Sequence, residues 1–228
     1  MTDHLPLDRG LIGRLRRDTG AAWDAYVDHD FVRQLGAGTL PRPAFEHFLR
    51  QDYLFLIHFA RAYALAGAKA GSLADLRAAA QSVTNIVDIE MPLHVAYCRE
   101  WGLSEADMEA EPEAMETIAY TRFVLDRGHS GDKLDLDVAL APCVVGYAEA
   151  VARLLADPAT TYAANPYAAW IDAYAGADYR GWVTGCIEKL DSLGAAKGAE
   201  ARYPELLASF RTATLLETAF WDMAMRAS

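Results

Sequence analysis

Apolar residues recur three and four positions apart over long stretches of this chain, and no stretch alternates apolar with polar regularly enough to predict a strand. The first helical stretch runs from about Asp8 to Asp28, with a short helix near Phe31 to Leu35, and Gly36-Ala37-Gly38-Thr39-Leu40-Pro41 breaks the pattern. Pro43 then sits in a first turn, where its missing N–H costs nothing, and that helix continues to about Ala70. Gly71 ends it, and Ser72 is placed to cap a third helix up to Trp101, which Pro92 should kink. Ser104-x-x-Asp107 reads as a capping box for a short acidic helix, followed by a helix from about Glu113 to Asp126 and a loop over Arg127–Gly131. Further helices are expected over about Asp132–Ala156 (with Pro142 inside), from Asn165-Pro166 to near Gly176, over Asp178–Leu193, and over Ala199–Met225. With no internal repeat and no linker-like gap, the reading is one all-α domain over residues 1–228, a multi-helix bundle of eight to ten helices.

Composition agrees: 43 Ala and 26 Leu against 11 Val and 7 Ile favour helix over sheet. The formal charge of −11 argues against nucleic acid and anionic membranes as partners, because their phosphates would repel the chain. Leu54–Ala70 reads as the most apolar stretch, and His58, Arg61 and Lys69 make it unsuitable as a membrane span. The first residues show neither a basic region nor an apolar core of a signal peptide. Three widely spaced cysteines, Cys98, Cys143 and Cys186, form no C-x-x-C pair. A cytoplasmic protein with reduced thiols is the expectation.

Reactive groups that interrupt apolar runs are the informative positions. Asp52 has Phe48, Phe55, Leu56 and Phe59 at offsets −4, +3, +4 and +7, so it shares their apolar face. A carboxylate there must be paired, hydrogen-bonded or used. The plainer reading is a structural acid that caps a helix or pairs with an Arg. Cys143 follows Pro142, which opens the helix, and Tyr147 lies one turn on; its plainer reading is inert core, as for Cys98 and Cys186. Glu217 lies among Leu215, Leu216 and Phe220, and could instead be a half-buried acid paired at the surface. If the faces carrying Asp52/Phe55, Cys143/Tyr147 and Glu217/Phe220 converge, they make an aromatic-walled pocket with two carboxylates and a thiol, suited to a flat nitrogen heterocycle. Glu90 and His94, four apart, could ligate a metal, but one such pair is not a site, and no metal site is expected.

At these residues the chain resembles the TenA/thiaminase II family of aminopyrimidine hydrolases. The matching pieces are Gly38-Thr39-Leu40-Pro41, Phe45–Phe59 with Gln51-Asp52-Tyr53, Ile89–His94, Ala141-Pro142-Cys143, Trp170–Tyr174 and Glu217–Ala224, in order across nearly the whole chain. The resemblance implies a haem-oxygenase-like all-α fold without haem, no cofactor, and a homotetramer. It implies hydrolysis of the C–N bond at the methylene of a 4-amino-2-methylpyrimidine, either an aminomethylpyrimidine or thiamin. Carried over, Cys143 is the nucleophile that adds to the pyrimidine ring, Asp52 polarises the ring nitrogens, and Glu217 is acid and base for the leaving amine and the water. Phe55, Tyr120, Tyr147, Tyr174 and Phe220 bind the substrate, Phe55 standing where some members carry Tyr. No His or Lys neighbours Cys143 in sequence, so Tyr147 or another helix must activate it. Two alternatives stand beside this: an oxidase of the pyrroloquinoline quinone synthase-like or metal-dependent type on the same scaffold, and a non-catalytic pyrimidine-binding or regulatory protein.

Overall fold

The computed structural model describes residues 5–227, so the reading of the first four residues lies outside it. Among the described residues there are helices and no strand. They are α1 (Gly10–Thr19), α2 (Ala21–Val27), α3 (Asp30–Ala37), α4 (Arg42–Ala68), α5 (Leu73–Asn85), a π-turn (Ile86–Glu90), α6 (Met91–Glu100), α7 (Glu105–Glu109), α8 (Met115–Ser130), α9 (Lys133–Ala156), α10 (Ala168–Ala175), α11 (Ala177–Ala196) and α12 (Tyr203–Met225).

Among the described residues twelve α-helices replace the expected eight to ten, for local reasons. Gly20 has φ +60°, a conformation open to glycine, and divides the first stretch into α1 and α2. Pro92 does not simply kink a helix. Its ring clashes with the carbonyl four residues back, at Asp88, and the backbone widens there into the π-turn, where the Met91 N–H reaches the Ile86 carbonyl. The expected Arg127–Gly131 loop is instead the last turn of α8: a Cβ on Gly128 would lie 2.6 Å from Leu65 Cδ2, so this glycine serves close helix packing, not a turn. Both expected caps form: the Asp75 N–H donates to Ser72 Oγ at 3.1 Å. The Asp107 N–H donates to Ser104 Oγ, and the Asp107 carboxylate accepts from the Ser104 N–H at 2.8 Å, completing the box. Among the described long helices the most apolar is α9, not Leu54–Ala70, and most of it is buried within the protein, as a core helix is.

The chain groups into two compact units. One runs to Leu40 and takes Asp137–Thr218; the other takes Pro41–Leu136 and the residues from Ala219 on. In the second unit α4 is the central element, packed against α5, the π-turn, α6, α7 and α8. Phe45 and Phe48 are fully buried there, each adding about 1.5–3 kcal/mol of apolar burial. Gln51 replaces the missing cap of α8: its Oε1 accepts from the Ala114 N–H at 2.8 Å and Thr117 Oγ1 at 2.7 Å, and its Nε2 donates to the Pro112 carbonyl at 3.0 Å. One buried amide therefore fixes α8 to α4 beside Asp52.

In the first unit, Glu149 of α9 gathers Arg16 of α1 and Trp23 of α2. Asn165 holds the approach to α10 by donating to the carbonyls of Leu35, Gly36 and Thr161, and Tyr167 donates to the Leu40 carbonyl at 2.6 Å. Gly38, at φ +70°, ends α3 and leaves room for the Asn165 side chain. The Gly-Thr-Leu-Pro segment is thus a structural clasp.

Candidate active site

Asp52 lies on the inner face of α4, and Phe48, Phe55, Leu56 and Phe59 are buried with it, as the spacing requires. Its partner is neither an Arg nor a helix end. Asp52 Oδ2 lies 2.6 Å from His94 Nε2, and both side chains are buried. The other imidazole nitrogen, Nδ1, lies 3.0 Å from the Glu90 backbone carbonyl. Burial alone would push His94 down; the hydrogen bond and charge of Asp52, aided by Glu90, outweigh it and hold the imidazole above its ordinary 6.5. The Glu90/His94 spacing was read as a possible metal pair; the imidazole instead uses the Glu90 carbonyl and serves Asp52.

Aromatic rings gather in the same unit. Phe55 lies 5.0 Å from Tyr120 and 5.9 Å from Phe220, centroid to centroid, and Phe220 lies 6.1 Å from Phe48. Four of the expected residues, Asp52, Phe55, Tyr120 and Phe220, therefore come from α4, α8 and the end of α12, and all are buried.

The other expected residues belong to the first unit. Cys143 is half-buried on α9, which passes through Pro142 without interruption. The backbone on either side of the thiol is held by tyrosines: Tyr26 donates to the Pro142 carbonyl at 3.3 Å and Tyr179 to the Val144 carbonyl at 3.1 Å. Gly146 permits this, since a Cβ there would lie 2.1 Å from the Tyr26 ring. Tyr147 and Tyr174 meet at 5.1 Å, and Trp170 packs on both, at 5.9 and 4.6 Å. Glu217 is buried on α12 of this unit. Cys98 fits its packing role: burial pushes its thiol up to about 11. Cys186 is half-buried. A surface cavity of about 520 Å³, lined by Pro6, Arg9, Arg180, Thr184, Glu188 and Asp191 among others, contains none of the expected residues.

Tyr26, Tyr179 and Glu149 are not anticipated by the sequence, and His94 only as half of a possible metal pair, not as the partner of Asp52. A signal existed for two: His94 and Glu149 each interrupt an apolar run, the criterion that selected Asp52 and Glu217.

The model of the TENA/THI-4/PQQC family matches residues 17–227. An uncharacterised protein of Haemophilus influenzae is 38% identical, over 94% of this chain and 99% of its own. A Halalkalibacterium halodurans protein named aminopyrimidine aminohydrolase is 35% identical, over 89% of each chain. Among solved structures, a protein of Silicibacter sp. titled a TenA family transcription regulator superposes with TM-score 0.87 at 45% identity, over 94% of this chain and 96% of that one.

Proposed function

The chain belongs to the TENA/THI-4/PQQC family, and from that premise we propose that it is an aminopyrimidine aminohydrolase of thiamin salvage. It hydrolyses the C–N bond at the methylene of a 4-amino-2-methylpyrimidine, converting an aminomethylpyrimidine to hydroxymethylpyrimidine and ammonia, or releasing the thiazole from thiamin. The observation that carries this reading is a buried carboxylate, Asp52, one turn along α4 from Phe55, whose ring meets those of Tyr120 and Phe220. Carboxylates bind ring nitrogens and amino groups, and aromatic side chains stack on flat rings. The name carried by the H. halodurans relative supports it.

On this proposal Cys143 Sγ adds to the pyrimidine ring while Asp52 polarises a ring nitrogen, because addition costs aromaticity and needs an activated ring. Glu217 gives the departing amine its proton and then takes one from water, which adds at the methylene; the ring–sulfur bond breaks as aromaticity returns. Phe220 stacks on the ring, and Phe55, Tyr120, Tyr147 and Tyr174 bind it. Action as one domain over 1–228, a homotetramer, no cofactor and a cytoplasmic location belong to the same proposal. The family match running over 17–227 supports the first of these. A DNA-binding regulator is disfavoured, since the charge of −11 would oppose a phosphate backbone.

The test is ammonia release from an aminomethyl-aminopyrimidine, with thiamin cleavage beside it. The wild-type protein turns over at least one, and Cys143→Ala, folded by circular dichroism, loses about 10³-fold or more in kcat. Turnover of neither substrate overturns the assignment; undiminished turnover by Cys143→Ala overturns the covalent step.

A further inference from the structure

The Asp52–His94 pair holds more than a contact. A backbone carbonyl only accepts hydrogen bonds, so Nδ1, which faces the Glu90 carbonyl at 3.0 Å, carries a proton. In a neutral imidazole that leaves Nε2 bare. Nε2 faces Asp52 Oδ2 at 2.6 Å, and two bare acceptors at that distance would repel. A proton therefore lies between them. Imidazole is the stronger base of the two, so the proton belongs to Nε2. The charged groups acting on the ring are Asp52, from α4, and Glu90, from the π-turn of its own element; both are acidic and favour the proton. The pair is then neutral overall, which makes burying the carboxylate far less costly than burying it alone.

We propose that His94 is the positioning residue for Asp52: its shared proton occupies Oδ2 and fixes the carboxylate plane, leaving Oδ1 to accept from the substrate ring, through its amino group or a ring nitrogen that carries a proton. The aim is set by the backbone, because the imidazole is tied to the last carbonyl of the π-turn, two residues before Pro92. Loss of the shared proton at alkaline pH would set Nε2 and Oδ2 against each other and release the carboxylate. The identity of the ring rests on the hydrolase reading; the pair itself does not.

The experiment compares wild type, His94→Ala and His94→Gln by kcat and KM for ammonia release from neutral to alkaline pH. It adds ¹⁵N-histidine NMR of wild type and Asp52→Asn. Glutamine places an amide donor near Nε2 but has no proton to lose. The expected results are a 10- to 100-fold fall in kcat/KM for His94→Ala, most of it recovered at neutral pH by His94→Gln, and loss of the alkaline limb in both variants. In the NMR arm both His94 nitrogens carry protons at neutral pH in wild type, and Nε2 loses its proton in Asp52→Asn. A His94→Gln profile with the wild-type alkaline limb, or a bare Nε2 in wild type, overturns the proposal. If wild type releases no ammonia, the hydrolase reading fails, while the NMR arm still decides the pair.

Discussion

Asp52 on α4 and Glu149 on α9 are buried equally, at 4% and 5% exposure, yet they are satisfied in opposite ways. Glu149 accepts from Arg16 through both oxygens, at 2.5 and 2.6 Å, from the Trp23 indole at 2.8 Å, and from Arg153 at 2.7 and 3.0 Å. Its donors never release their protons, so it keeps its charge at neutral and alkaline pH and ties α1 and α2 to α9. Asp52 is held by one imidazole, a partner that, unlike a guanidinium, can lose its proton as pH rises. Burial and apolar context are alike for the two carboxylates; what differs is whether the partner can give up its proton.

The largest expected effect that could break this contrast is on the scaffold side. Glu149→Gln leaves two guanidinium groups short of their acceptor and should cost about 3 kcal/mol, the low end for a broken buried pair because both arginines reach water. A chain of this size should then melt about 6–12 °C lower, with kcat of the folded enzyme unchanged. A large fall in kcat without a change in melting would give Glu149 a chemical role.

Next, Gly146→Ala forces a methyl into the Tyr26 ring and should cost about 1–3 kcal/mol by overpacking. Because Tyr26 also holds the Pro142 carbonyl beside Cys143, kcat should fall along with the melting temperature, unlike Glu149→Gln. Equal kcat in wild type and Gly146→Ala would remove Tyr26 from the account of the thiol.

Smaller effects come from pH. Glu149 lies below its ordinary 4.5: burial opposes this, but the hydrogen bonds from Arg16, Trp23 and Arg153 outweigh it. Its stabilisation is thus present above 4.5 and lost as pH falls through the folded value. His94 lies above its ordinary 6.5, so its stabilisation is complete below 6.5 and lost as pH rises through the folded value. Melting-temperature differences from wild type should therefore shrink in acid for Glu149→Gln and in alkali for His94→Gln. Slopes of the same sign would refute the distinction. The smallest effect is expected of Phe55→Tyr, which adds one hydroxyl among Phe59, Tyr120 and Phe220. It should shift the ratio of KM values for aminomethylpyrimidine and thiamin a few-fold, about 1 kcal/mol or less; an unchanged ratio would exclude Phe55 from the ring's surroundings.

Helices were legible because apolar spacing is a local property, and the caps at Ser72 and Ser104 because they join residues three apart. Gly128 misled because a glycine for close packing and a glycine for a turn look alike until Leu65 is placed against it. The burial of Asp52 with the rings of α4 was legible from its offsets to Phe48, Phe55 and Phe59. The identity of Asp52's partner was not, since His94 lies 42 positions away and only the packing of α6 on α4 brings it there. Glu149 obeys the same rule as Asp52, and the sequence does not separate the two, because it shows that a buried acid needs a partner without showing which.

Ammonia release by Asp52→Asn, measured per folded molecule on an aminomethyl-aminopyrimidine, tests the division most directly. Asparagine can still donate to a neutral His94, so the fold should melt within about 2–4 °C of wild type, the span of roughly 1 kcal/mol in a chain this size. The activity should fall about 10²-fold or more in kcat/KM. An Asp52→Asn enzyme with wild-type kcat/KM would make Asp52 a scaffold carboxylate like Glu149 and contradict the account.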